Sequence, residues 1–144
     1  MNHQPRILVA ASEPSTARLV SFLKEFEVVQ ASSLRQAHRL LIEDGIDLII
    51  ATIDFDDSKA IELLRSLRHK GHHKNTPFIL YRDAPCILTK EVRAMFSALQ
   101  KFYSPAVYIE VDDPEGDEEA LKQAVYKCLA SQLGQQQLPN KSRE

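Results

Sequence analysis

The chain has 144 residues, enough for one domain with a single sizeable core and too few for two ordinary domains. Its hydrophobic content of 44% and charged content of 26% are those of a soluble globular protein. A formal net charge of −2 supplies no basic field that would favour nucleic acid or an anionic membrane surface. We therefore expect neither nucleic acid nor a membrane as a partner.

The amino terminus and the cysteines indicate a cytoplasmic location. No apolar leader precedes the first strand-like run, and nothing approaches the roughly 20 apolar residues that a membrane span needs. Cys86 and Cys128 lie far apart without metal-ligand spacing, which favours two reduced thiols.

Five short apolar runs have the character of β-strands. The first, third and fourth are nearly continuous Ile, Leu and Val, a pattern typical of strands buried on both faces of a parallel sheet. The runs are residues 6–10, 27–31, 47–53, 77–81 and 106–111.

Segments with helical periodicity follow the strands. The first begins at Pro14, a favoured first helical position, and the second opens with Ser33 and Gln36 at capping-box spacing. The third runs from Ala60 to the glycine at residue 71, the fourth covers residues 88–102, and the fifth buries a stripe between residues 121 and 129.

Strict alternation of strand and helix predicts an α/β domain of (βα)5 type. Right-handed crossovers place helices on both faces, so we expect a flavodoxin-like three-layer sandwich. The parallel five-stranded sheet should have the order 2-1-3-4-5, with any site at the carboxyl ends of the strands. This domain is predicted over residues 1–133, and the polar residues 134–144 are predicted to form a flexible tail.

Three stretches of the sequence resemble the receiver domains of two-component response regulators, the CheY-like family. RILVAASEPSTARLV, from Arg6, is similar to the family's first strand, acidic loop and first helix. DLIIATIDFDDSKAIELLRSLR, from Asp47, is similar to the third strand, active-site loop and third helix, and NTPFILYRD, from Asn75, to the fourth strand. The resemblance covers about residues 5–133.

This resemblance implies a phosphotransfer site whose key residues are replaced. Family members carry an acceptor aspartate after the third strand, an acidic pair that holds Mg²⁺, a hydroxyl residue and a lysine. The corresponding positions here are Thr52 for the acceptor, Ala11 and Ser12 for the acidic pair, Arg82 for the hydroxyl and Val111 for the lysine. The nucleophile, the metal ligands and the residues that contact the phosphoryl oxygens are all replaced. We therefore expect no aspartyl phosphorylation and no enzymatic activity.

Acidic residues near these positions leave two interpretations open. Asp54, Asp56 and Asp57, with Glu13 across the sheet edge, could bind a divalent cation through oxygen ligands. Alternatively the loop is solvated, and Asp56 or Asp57 caps the third helix.

Arg82 would lie in the pocket that contacts the phosphoryl group in family members. Its positive charge could have either of two roles there. It could bind an anionic ligand, or it could pair with Glu13 or a loop aspartate in place of the missing metal.

The segment between the fourth and fifth strands is longer than the family norm by about seven residues, or two helical turns. We therefore expect an extended fourth helix. Its apolar residues either pack over the sheet edge or form an exposed interaction face. The predicted face consists of Met95, Phe96, Phe102, Tyr103 and Tyr108.

Our leading hypothesis is a pseudo-receiver that binds another signalling protein independently of phosphorylation. It would use no cofactor, because P-loop and dinucleotide-binding glycine motifs are absent from the sequence. Homodimerisation through the face of helix 4, strand 5 and helix 5 is a further expectation from the family. The alternatives are a small-ligand or ion sensor in the degenerate pocket, and a residual phosphoacceptor.

Overall fold

The described residues of the computed structural model form five strands and six helices, with one helix after each strand except the third, which is followed by two. The strands are β1 (Arg6–Ala10), β2 (Glu27–Ala31), β3 (Leu48–Thr52), β4 (Phe78–Arg82) and β5 (Ala106–Glu110). The helices are α1 (Glu13–Phe22), α2 (Leu34–Glu43), α3 (Phe55–Ser58), α4 (Ala60–His69), α5 (Lys90–Phe102) and α6 (Asp117–Gln137). The structure describes residues 4–43, 45–53, 55–69, 73, 75–82, 90–103, 106–110 and 117–137.

The strands form one parallel sheet in the order β2-β1-β3-β4-β5. The predicted α/β class with a parallel sheet is therefore confirmed. Within the sheet Ala10 of β1 pairs with Ala51 of β3, and Thr52 pairs with Tyr81 of β4. This register brings the carboxyl ends of β1, β3 and β4 to one edge of the molecule.

Each face of the sheet has its own hydrophobic core, because successive side chains of a strand point to opposite faces. One face is covered by α1 and α6, and we call it the α1/α6 core. Its buried members include Ile7, Val9, Ile50, Leu19, Leu23, Leu121 and Val125. The other face, the α2/α4/α5 core, buries among others Leu8, Ile49, Leu80, Leu41, Leu63 and Phe96.

The start of α2 has the predicted capping residues, with one difference. Ser33 Oγ accepts a hydrogen bond from the backbone N–H of Gln36 at 3.1 Å, as a capping box requires. The return bond runs from the backbone N–H of Ser32 to Gln36 Oε1 at 3.0 Å, so it goes to the residue before the cap. Two of the polar groups at this helix end are thus satisfied by residues next to it in the chain.

Helices α3, α5 and α6 differ in extent from the sequence prediction. The short α3 was not predicted, and α4 corresponds to the predicted third helix. Helix α5 begins at Lys90, and the predicted start at residues 88–89 lies outside the described residues. Helix α6 continues to Gln137, so the predicted boundary before Gly134 falls inside it. Glutamines are good helix formers, so the residues after that glycine are compatible with a continued helix.

The amino-terminal edge of the sheet is held by Arg68 and His73. Arg68 Nε donates to the Tyr103 carbonyl at 2.9 Å, and its Nη1 donates to the His73 carbonyl at 3.0 Å. His73 Nε2 in turn donates to the Leu41 carbonyl at 2.9 Å. These bonds connect the ends of α2, α4 and α5.

Helix α6 is tied to the turn between α1 and β2. Tyr126 Oη donates a hydrogen bond to Glu25, and this bond lowers the pKa of the Glu25 carboxyl. The Tyr126 ring also packs on Phe26 with the ring centroids 5.4 Å apart. Nearby on α6, burial raises the pKa of the Cys128 thiol, which keeps it protonated and unreactive at neutral pH.

In the part of the chain that the structure describes, no helix combines the length and the apolar character that crossing a bilayer would require.

Candidate functional site

The positions expected to carry chemistry meet at the carboxyl edge of the sheet. Thr52 ends β3 and Arg82 ends β4, while Ala11 and Ser12 directly follow β1. The strand register places Ala11 and Thr52 one residue beyond the Ala10–Ala51 pair. Two further predicted positions, Asp54 and Val111, lie outside the described residues.

Thr52, at the acceptor position, is fully buried. Alternation along β3 puts its side chain on the same face as Leu48 and Ile50, toward the α1/α6 core. Its Oγ1 is buried and has no hydrogen-bond partner in the described structure. A hydroxyl without an adjacent base is a weak nucleophile, so Thr52 is not equipped for phosphoryl transfer.

Replacing Thr52 by valine is expected to raise the free energy of unfolding by about 1 kcal/mol, since an unsatisfied buried hydroxyl is removed at nearly constant shape. Urea unfolding measures the change. Thr16→Val is the matched control, because Thr16 Oγ1 donates to the Ser12 carbonyl at 2.8 Å and its loss should destabilise. Equal destabilisation by both variants would show that the Thr52 hydroxyl has a bound partner.

Ala11 and Ser12 lie where the resemblance implies an acidic pair. The first belongs to the core, and the second is at the N-terminus of a helix. Ala11 is fully buried in the α1/α6 core, and its N–H donates to the Ala31 carbonyl at 3.1 Å. Ser12 is the N-cap residue of α1 in an extended conformation, without a side-chain cap bond. Glu13 is exposed in the first turn of α1, where a carboxylate complements the helix dipole. A buried methyl group thus lies at one of the two positions for which the resemblance to receiver domains implies an acidic group.

The loop after β3 is fastened to the rest of the domain at two adjacent residues. Phe55 is fully buried in the α2/α4/α5 core. Asp56 has a φ of 46°, in the left-handed region that aspartate tolerates better than most residues. Its Oδ2 accepts a hydrogen bond from the Leu34 N–H at 2.7 Å, and its Oδ1 lies 3.8 Å from Lys59 Nζ.

Asp56 therefore caps α2, which corrects its expected role as a cap of the predicted third helix, α4 in the structure. The sequence could not indicate this partner, since Leu34 lies far back in the chain. A carboxylate already bonded to a backbone N–H and close to a lysine is a poor cation ligand. Among the described residues, no group of three His, Cys, Asp or Glu side chains is placed to hold a metal. The side chain of Asp57 lies outside the described part of the structure.

Arg82 is only 5% exposed. Alternation along β4 places its side chain with Phe78 and Leu80, toward the α2/α4/α5 core. In the register of the sheet its neighbour on β5 is Glu110. Among the ion pairs that the structure describes, none joins Arg82 to Glu13, which lies at the exposed start of α1. Pairing of Arg82 with an aspartate of the loop after β3 stays a prediction, because Asp54 and the side chain of Asp57 lie outside the described part.

The predicted interaction face on α5 is exposed only in part. Met95 is 46% exposed and Phe102 is 81% exposed, whereas Phe96 is 4% exposed and belongs to the α2/α4/α5 core. Phe96 is thus corrected from a contact residue to a core residue, because it lies on the opposite side of the helix. Tyr103 is half-buried against that core and meets the Phe102 ring edge-on at 5.3 Å. The side chain of Tyr108 is outside the described part.

An open groove, not anticipated from the sequence, lies between α1, the end of β2 and α2. Its volume is about 570 Å³, within the range of small-molecule sites. Glu13, Val20, Gln30 and Gln36 are among its lining residues. Gln36 already bonds to Ser32, and among the described residues no buried polar group converges on the groove.

Several solved structures with the same architecture are bacterial receiver domains. The chain superposes on the signal receiver domain of an HD domain-containing protein from Pseudomonas fluorescens Pf-5 with a TM-score of 0.73 at 20% identity, covering 96% of each chain. For the receiver domain of a signal transduction histidine kinase from Syntrophus aciditrophicus the TM-score is 0.70 at 22% identity, covering 88% of this chain and 91% of that one.

A third similar structure is the receiver domain of a sensor histidine kinase from Pseudomonas aeruginosa PAO1, which has a magnesium ion in its active-site cleft. Its TM-score is 0.69 at 14% identity, covering 89% of this chain and 99% of that one. No protein-family model matches the sequence, and no curated protein matches it closely enough to count as a relative. The comparisons therefore establish a receiver-type fold and no chemistry.

Proposed function

We propose that the chain is a degenerate receiver, a cytoplasmic signalling module that binds another protein without aspartyl phosphorylation. The observation that carries this proposal is the burial of the phosphorylation positions. Thr52 and Ala11 are both fully buried, and Ala11 is a member of the α1/α6 core. Packed side chains stand where the receiver fold otherwise provides an open acidic pocket.

The chemistry of phosphoryl transfer supports the same conclusion. Catalysis of this reaction depends on positioning the nucleophile and neutralising the charge on the transferred group, usually with Mg²⁺. Here the acceptor position offers a buried hydroxyl, and Ala11 offers no metal ligand. Arg82 retains a positive charge, but strand alternation directs it to the other face of the sheet from Thr52.

The structure gives less support to the two alternative functions. A ligand sensor in the degenerate pocket would need accessible polar groups, and the Thr52 hydroxyl is enclosed. A residual phosphoacceptor would need a free carboxylate, and Asp56 is engaged by Leu34 and Lys59. Asp54 lies outside the described residues.

The proposed contact surface is the face that includes α5. Met95 and Phe102 expose large apolar side chains there, and exposed apolar patches on soluble domains commonly mark protein interfaces. Receiver-fold neighbours of this chain include the receiver domain of a histidine kinase, which is consistent with a role in signalling.

The deciding experiment is intact-mass spectrometry after incubation with acetyl phosphate and Mg²⁺. We expect no phosphoryl adduct on this chain, with an ordinary receiver domain modified in parallel as the positive control. A stoichiometric adduct would contradict the proposal. The variants Asp54→Asn and Asp56→Asn would then locate it, since loss of the adduct in one of them identifies the acceptor.

A further inference from the structure

Strand β2 lies at one edge of the sheet and pairs only with β1. The Glu27 N–H donates to the Pro5 carbonyl at 3.1 Å, and the Ala31 carbonyl accepts from the Ala11 N–H at the same distance. Both ends of β2 are thus bonded to the β1 side. Because the backbone groups of successive strand residues point in opposite directions, every second residue of β2 directs its N–H and C=O groups toward β1, and the residues between them direct theirs away from the sheet.

The outward backbone groups of β2 belong to Val28 and Gln30. No described hydrogen bond uses the N–H or C=O group of either residue. The next outward N–H groups along the chain are already bonded. Phe26 N–H donates to a carbonyl within its own turn, and Ser32 N–H donates to the side chain of Gln36, both at 3.0 Å. The free part of the edge is therefore limited to two residues.

This edge is accessible and carries few of the features that normally prevent strands from pairing. Gln30 is exposed, and the groove of about 570 Å³ opens beside it between α1 and α2, so the helices do not cover the edge there. Proteins commonly protect such edges with lysine or proline, and β2 contains neither. Its one charged residue, Glu27, is paired with Arg6 at 2.6 Å.

We propose that two copies of the chain associate edge to edge through β2, with the two strands antiparallel about a twofold axis at Val29. Val28 of each copy then lies opposite Gln30 of the other. Each of these two pairs exchanges two N–H···O=C hydrogen bonds, as in an ordinary antiparallel ladder. The two sheets become one continuous sheet, and the contact is the same on both copies.

Only this antiparallel register satisfies all the free groups of both strands. A shift by one residue places outward groups opposite inward ones and also exchanges the two faces of the sheet. A shift by two places Val28 or Gln30 opposite Ser32 or Phe26, whose N–H groups are already bonded. The two free residues are symmetric about Val29, so a second copy is the complementary partner for this edge.

The same arrangement brings opposite charges together beside the strands. The twofold axis reverses α1 relative to its copy, so the first turn of α1 in one molecule lies near the turn that follows α1 in the other. Glu13 and Lys24 occupy these two places, and both are exposed. None of the described ion pairs includes either of them. Glu13 of each copy is therefore free to attract Lys24 of the other.

The association should be weak. The paired strands have five residues each, and we expect the contact to cover less than the roughly 800 Å² per partner of a standard stable interface. A dissociation constant in the micromolar range or above follows. The inference does not depend on the proposed function, and it uses a different surface from the face that includes α5.

Hydrogen exchange, measured by NMR at each backbone amide over a series of protein concentrations, tests the contact. We expect exchange at Val28 and Gln30 to slow about tenfold when about nine tenths of the chain is dimeric, because it requires an open edge. The amides of Val29 and Ala31, which point toward β1, should change little. Sedimentation velocity of the same samples, from low micromolar to several hundred micromolar, measures the dimer fraction.

A proline at position 30 removes the donor of the proposed ladder. The Gln30 N–H points away from β1, so Gln30→Pro leaves the bonds between β1 and β2 in place and should be monomeric at every concentration. Gln30→Thr keeps the N–H and suits a strand, so it is the matched control and should associate like the unmodified chain. Far-UV circular dichroism shows whether the proline variant is folded. If it is not, the exchange series on the unmodified chain decides alone.

Three results would overturn the inference. The first is a monomer throughout the concentration range. The second is a dimer in which exchange at Val28 and Gln30 is unchanged, since the contact would then lie on another surface. The third is a folded Gln30→Pro variant that associates as strongly as Gln30→Thr. None of these results bears on the acetyl phosphate experiment, and a phosphoryl adduct would leave the edge contact standing.

Discussion

Replacing Phe55 by alanine is expected to lower the free energy of unfolding by about 3–5 kcal/mol. The ring is fully buried in the α2/α4/α5 core, and it lies in the four-residue helix α3 that follows β3. Truncation to alanine removes the buried ring from the core and leaves a cavity. The surrounding backbone can close this cavity only in part. This is a large share of the roughly 5–15 kcal/mol by which domains are normally stable.

Urea unfolding of three variants tests this expectation. Phe55→Leu keeps most of the volume and should lose less than about 1.5 kcal/mol. Phe102→Ala removes the same side chain from an 81% exposed position, and its effect should stay within about 0.5 kcal/mol. Equal effects of Phe55→Ala and Phe102→Ala would mean that the loop after β3 is not anchored in the core.

Replacing Arg68 by alanine is expected to lower the free energy of unfolding by about 2–3 kcal/mol. The side chain donates to the carbonyls of Tyr103 and His73, at the ends of two different segments. Burial lowers the pKa of Arg68 to about 10, so the guanidinium remains protonated at neutral pH and both bonds are charge-assisted. The substitution leaves both carbonyls without this donor.

Two further substitutions show whether the hydrogen bonds of Arg68 or its charge account for the loss of stability. Arg65→Ala removes an exposed arginine from the same helix and should change the stability by no more than about 0.5 kcal/mol. Arg68→Lys keeps the charge but lacks the guanidinium fork, so an intermediate loss is expected. Full stability of Arg68→Lys would attribute the effect to charge alone.

The strands could be predicted within one or two residues because burial on both faces leaves a strong mark on sequence. In β3 and β4 every residue is buried, and short continuous apolar runs of this kind are typical of the central strands of a parallel sheet. Parallel order then follows from the alternating helices. Capping of α2 by Ser33 could also be predicted, because the hydrogen bond joins residues only three positions apart.

Contacts between distant segments could not be predicted in this way. The Asp56 carboxylate accepts a hydrogen bond from the Leu34 N–H, which belongs to a distant segment. Nothing in the local sequence favours this partner over a backbone N–H of the helix that follows Asp56. Periodicity assigned Phe96 and Met95 to one helix, but which of the adjacent residues faces the core depends on how α5 lies on the sheet. Helix α3 was missed because four residues are too few to show a period.

At the candidate site, the resemblance to receiver domains predicts which positions correspond to the family's phosphotransfer residues, and the structure adds their environment. Substitution alone indicated that Ala11 and Thr52 lack acidic groups. Their complete burial, and the lack of a hydrogen-bond partner for the Thr52 hydroxyl in the described structure, depend on α1 and α6 lying over this part of the sheet. Such packing depends on the whole chain.

Helices α1 and α6 lie on the same side of the sheet, although α1 is near the beginning of the chain and α6 near its end. During synthesis on a ribosome, Leu19 and Leu23 emerge long before Leu121 and Val125, which complete their core. The opposite layer, formed by α2, α4 and α5, can assemble earlier. A nascent chain that has not yet extended to Leu121 therefore carries an open apolar face of the kind that chaperones protect.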